Sequence, residues 1–102
     1  MLVVVALFEL HIEFAESLKD KRMVVKSLRD KLRRRFEVSA AEVGLQDLHQ
    51  RGRLAVSFIT LEHSMADRML EKLVDFIESN TDATLSGWTT EKLEFDEEAS
   101  LS

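Results

Sequence analysis

A chain of 102 residues, 45% hydrophobic and 32% charged with a net charge of −5 at pH 7, is sized and composed for one soluble globular domain. It can bury roughly 60–70% of its unfolded surface, enough for one modest core. Cysteine is absent, which excludes disulfides, thiolate zinc sites and cysteine nucleophiles and suits a reducing cytoplasm, the expected location.

The longest apolar run, Leu2 to Phe8, is too short to span a bilayer and has no basic stretch before it, so no membrane association is expected. From Leu2 to Phe14 apolar residues alternate: Leu2, Val4, Ala6, Phe8, Leu10, Ile12 and Phe14 share one face. This period of two predicts a long strand with a fully apolar side. The opposite side carries Val3, Val5 and Leu7, then Glu9, His11 and Glu13.

The period changes at Ser17. Ser17 followed by Asp20 has the spacing of a capping box and predicts a helix from Ser17 to Phe36. Leu18, Val25, Leu28, Leu32 and Phe36 form its core stripe. Val38 to Val43 reads as a short strand and Gly44 to Gly52 as a polar connection. Arg53 to Leu61 alternates again, with Leu54, Val56 and Phe58 inward. Ser64 and Asp67 repeat the capping spacing and predict a second helix from Ser64 to Ser79. Its stripe is Met69, Leu70, Leu73, Phe76 and Ile77, and both Met65 and Met69 read as core filler. Thr84 to Phe95 is rich in β-branched and aromatic residues, a last strand.

The order β-α-β-β-α-β predicts an α+β fold, the ferredoxin-like sandwich. Its four-stranded antiparallel sheet carries two helices on one face. Residues 1–95 make that single domain, and 96–102 an acidic, frayed tail. Right-handed crossovers put the third strand between the first and second. The start of the first helix and the connection 44–52 then share one end of the sheet.

Charge is concentrated on the first helix. Between Ser17 and Phe36 nine basic residues face only Asp20 and Asp30, giving +7, so the remainder of the chain carries −12. Lys19, Arg22, Lys26, Arg29 and Arg33 recur at steps of three and four along one flank. Such a stripe is a footprint for polyanions. Free N–H groups at the helix start favour phosphate, beside Lys19, Lys21 and Arg22. The connection adds His49, Gln50 and Arg51. The competing reading is neutralisation by the acidic second helix (Asp67, Glu71, Asp75, Glu78), with ion pairs across the helix layer. Lys21 falls close to the apolar stripe, which also fits a packing role.

The sheet face without helices is expected to carry Val3, Val5, Leu7, Ala55, Ser57, Ile59 and Trp88. That is too apolar for a hydrated surface and predicts a covered face, best explained by a homodimer. Arg51-Gly52-Arg53-Leu54-Ala55-Val56-Ser57-Phe58 partly matches the RNA-recognition pattern, but Arg53 and Ala55 replace the two outward aromatics that stack bases. Glu9, His11 and Glu13 have ligand-like spacing on one strand face, though a polar strand end explains them as well. His49 beside Asp47 reads as a solvated loop histidine. No nucleophile elbow and no phosphate-binding glycine loop occurs. The expectation is a non-enzymatic binding protein without metal or cofactor. Only one asparagine and two glutamines suit a thermostable protein, although proline is absent.

Three blocks, Ser17–Arg22 (Ser-Leu-Lys-Asp-Lys-Arg), Arg34–Gly44 (Arg-Arg-Phe-Glu-Val-Ser-Ala-Ala-Glu-Val-Gly) and Gln46–Arg51 (Gln-Asp-Leu-His-Gln-Arg), resemble the YlxP-like family, a small bacterial family of unknown function. The resemblance runs from the first strand through the second helix and implies a ferredoxin-like fold. Family genes near translation-initiation and ribosome-maturation genes imply RNA or a ribosomal particle as partner. This chain has His49 where the third block is expected to hold a tryptophan. The family offers no catalytic residues to carry over.

Overall fold

The computed structural model describes residues 1–102 and has the expected element order. Strand β1 spans Leu2–His11, helix α1 Leu18–Arg35, β2 Ser39–Gly44, β3 Arg51–Thr60, helix α2 His63–Asn80 and β4 Thr84–Glu94. The sheet order is β2-β3-β1-β4, with every neighbouring pair antiparallel. This is the ferredoxin-like arrangement of two helices against a four-stranded sheet. No helix is long and apolar enough to cross a membrane.

The core lies between sheet and helices. Leu2, Val4, Phe8, Leu10, Leu54, Val56 and Phe58 point into it from the two central strands, and Val25, Leu28, Leu32, Leu73 and Ile77 meet them from the helices. Phe36 and Phe76 close one end in an edge-to-face pair, centroids 5.3 Å apart.

Several boundaries differ from the sequence reading, and β3 begins at Arg51, within the expected connection, rather than at Arg53. β1 stops at His11 because the chain turns at Glu13 and Phe14, which leaves Phe14 half exposed rather than in the core. α2 starts one residue early, at His63, so Glu62 holds the N-cap position and no side chain caps the helix. The expected Ser64–Asp67 box is therefore inside the first turn, where Asp67 instead binds Lys92 of β4. Met65 is exposed, while Met69 packs on the core as expected.

Candidate nucleic-acid interface

The start of α1 forms as its spacing requires. The Ser17 hydroxyl accepts from the Asp20 amide at 3.1 Å, and the Asp20 carboxylate accepts from the Glu16 amide at 3.0 Å. The first bond satisfies an orphan donor of the first turn, and the second ties the helix start to the residue before its cap. They also place a carboxylate where an incoming phosphate was expected, so positive potential belongs to the side chains further along the helix.

Those side chains lie on a free flank. Lys19, Arg22, Lys26, Arg29 and Arg33 fall within an arc of about 80° at 3.6 residues per turn. The core stripe occupies the next arc. Of the nine basic residues of this segment, only Lys21 and Arg29 reach a carboxylate. Arg29 pairs with its neighbour Asp30 at 3.2 Å, a half-buried contact of small energetic weight. Arg33 donates to the Ala40 carbonyl of β2, and Lys31 reaches the Asn80 carbonyl at 3.5 Å. Arg35 lies over the Phe36 ring. Lys19, Arg22, Lys26 and Arg34 are exposed and enter no ion pair.

No ion pair joins α1 to α2, which corrects the expected neutralisation. The reason is helical phase. Lys31 faces α2, whereas the stripe that includes Arg33 faces β2, on the far side of α1.

Lys21 is corrected as a phosphate contact. Its side chain is 0% exposed, its ammonium donates to the Leu45 carbonyl at 2.7 Å, and it lies 3.0 Å from the Glu42 carboxylate. The pull is Coulombic rather than a well-aligned hydrogen bond, since Glu42 Oε2 has no hydrogen-bonded partner. Leu45 adopts a left-handed φ of 58°, a strained choice for a leucine, and its carbonyl points back at this ammonium.

The connection between β2 and β3 shares the expected end of the sheet with the α1 start. His49 is exposed there. The Gln50 amide donates to the Glu13 and Ala15 carbonyls at 3.1 and 3.4 Å and ties the connection to the turn before α1. Arg51 is not part of this cluster. It stands opposite His11 on the helix-free face and, with Arg53, clamps Glu9: Arg51 at 2.9 Å and Arg53 at 3.2 Å. The Arg51 and then the Arg53 hydrogen bonds hold the Glu9 carboxyl below the usual carboxylate range. Glu9 is thereby withdrawn from the ligand-like trio with His11 and Glu13, whose own separation is 3.8 Å. No group of three His, Asp or Glu side chains is arranged to hold a metal ion.

On the helix-free face, register aligns Val3 with Ile59 and Leu93, Val5 with Ser57 and Glu91, and Leu7 with Ala55 and Thr89. Val5 is 40% exposed, Ile59 66% and Leu93 64%. Arg53 and Ala55 stand outward and Phe58 is buried, so this face lacks the aromatic platform that stacks bases. Trp88 is corrected as a member of the face: it pairs with Phe8, stacks on that ring at 5.7 Å and packs against the core. Sequence reasoning missed Leu93, which two-residue alternation before Phe95 could have revealed. It also missed Glu42 as the partner of Lys21, a contact with no local signal.

A family model described as "Protein of unknown function (DUF503)" matches residues 3–90. The chain is also similar to a protein described as "Uncharacterized protein YlxP" from Bacillus subtilis (strain 168), 32% identical over 65 residues, which cover 64% of this chain and 71% of that protein.

Proposed function

Because this chain belongs to the DUF503 family, whose members are described only as proteins of unknown function, we propose its role from its surface chemistry: it is a non-enzymatic protein that binds RNA or a ribonucleoprotein particle along the outer flank of α1. The observation that carries this reading is that Lys19, Arg22 and Lys26 of the stripe, with Arg34 on the adjoining face, are exposed and unneutralised in a chain whose net charge is −5. The stripe from Lys19 to Arg33 runs about 21 Å along the helix. That length lets several side chains meet consecutive phosphates, each contact releasing a counterion. Arg29 can turn from its contact with Asp30 to phosphate, Arg33 offers phosphate the N–H groups not used on the Ala40 carbonyl, and His49 and Gln50 lie at the α1 start as secondary contacts.

Filter binding of structured RNA at two salt concentrations tests the reading. Affinity is expected to fall steeply with salt, with a slope of about 0.7–0.9 per phosphate contacted. Lys26→Glu with Arg29→Glu is expected to abolish it. Absent binding, or binding indifferent to that double reversal, overturns the reading.

A second reading is favoured by a separate observation, the bare Val5, Ile59 and Leu93 side chains. Here the protein is an interaction module that docks a partner on its helix-free sheet face.

A further inference from the structure

We infer that the partner of the helix-free face is a second copy of this chain, the two faces stacked about a two-fold axis, so that the pair carries one α1 stripe on each outer side and bridges two RNA segments. The stacking deepens the docking reading above, and the bridging rests in addition on the RNA reading.

Charge selects the occupant. The α1 segment carries +7, so two such surfaces repel. The α2 helix has Asp67, Glu71, Asp75 and Glu78 against Arg68 and Lys72, and its surface likewise opposes a copy of itself. The helix-free face alone is balanced: Glu9 and Glu91 are matched by Arg51 and Arg53, and Glu9 is already clamped by both arginines. A neutral, apolar surface is the one that can meet its own image without like-charge cost, as an isologous interface requires.

Size agrees. Ten residues of β1 at about 3.3 Å rise, across four strands about 4.8 Å apart, give roughly 600 Å² in projection. Pleat and side-chain relief add to this, and a stable interface takes about 800 Å² from each partner. Val3, Val5, Leu7, Ile59 and Leu93 form an apolar band that runs from one end of the sheet, at the Val3, Ile59 and Leu93 row, to its middle at Leu7, and the Glu9–Arg51–Arg53 cluster lies toward the opposite end. Sheets stack about 10 Å apart and each helix layer adds a similar thickness, so the two α1 axes stand roughly 30 Å apart, each with its stripe on the β2 side of its own helix. Neither stripe is covered by the contact. Two sites on one rigid body raise the effective concentration of the second RNA segment for its site.

Sedimentation and a capture assay test both parts. The wild type is expected to sediment as a dimer at tens of micromolar. With one RNA on beads, it is expected to capture a second, dye-labelled RNA. Ile59→Glu and, separately, Leu93→Glu change exposed side chains; each is expected to give a folded monomer by circular dichroism that binds a single RNA as before, with capture of the second reduced at least about tenfold. A wild-type monomer that binds RNA overturns the stacking and leaves the RNA reading standing. Capture that persists in the Ile59→Glu monomer overturns the bridging. A wild-type dimer that binds no RNA overturns the RNA reading and keeps the stacking.

Discussion

Lys21 shows how one side chain can be legible in phase yet illegible in role. Its position between Leu18 and Val25 on the core arc can be read from the helix period, and so can its difference from Arg22, one residue on. Its partner cannot, because Glu42 is brought to it by tertiary packing of β2 under α1. Removing one member of a buried pair leaves an uncompensated charge, so Lys21→Ala is expected to cost about 3–5 kcal/mol in urea unfolding. Lys21→Met combined with Glu42→Leu is expected to recover most of that loss, since both charges leave together. Glu9 gives a second test at this scale. Its carboxyl is lowered in the folded chain, chiefly by the Arg51 hydrogen bond and then by that of Arg53. It therefore contributes stability that is present above the ordinary carboxylate range and lost as pH falls through its lowered folded value. Glu9→Gln is expected to remove that part of the acid dependence, seen as a flatter stability curve on the acid side in denaturant titrations.

The helices and β4 separate what a period can and cannot disclose. α1 is readable almost to the residue because Ser17 caps the Asp20 amide as the spacing promises, although the Asp20 carboxylate accepts from Glu16 rather than from the Ser17 amide. Ser17→Ala is expected to cost about 1 kcal/mol in thermal or urea melts. The same spacing at Ser64 misleads, since a cap also needs the right backbone at the cap residue, and Glu62 is the residue that has it. Glu62→Ser is expected to stabilise the protein by about 0.5–1 kcal/mol by supplying the missing acceptor. In β4 an irregularity does the misleading. The register shifts between Glu9 and Leu10, so Leu85 and Trp88, three apart, both face the helices. Strict alternation from Leu85 would put Trp88 on the opposite side. The candidate stripe itself was legible, because its five residues follow helix geometry. That it stays unneutralised was not, because the lateral placement of α1 over β2 is a property of the assembled sheet.

Taken as one body, the molecule has strongly unlike surfaces: a basic outer flank, an acidic second helix and a neutral apolar sheet face. Net charge alone, −5 with a sequence isoelectric point near 5.2, predicts that the protein ignores a polyanionic matrix at neutral pH. The concentrated flank predicts the reverse. We expect retention on heparin at low salt and pH 7, with Lys26→Glu combined with Arg29→Glu flowing through. The outer side of β2 adds a consequence of a different kind. This strand is only six residues long, it has no neighbour beyond it, and Arg33 reaches over to its Ala40 carbonyl. A free edge of this sort invites pairing with strands of other molecules, and nearby cations discourage it. Storage buffers of high ionic strength would screen that protection, so turbidity on standing should rise with salt even while the folded structure remains intact.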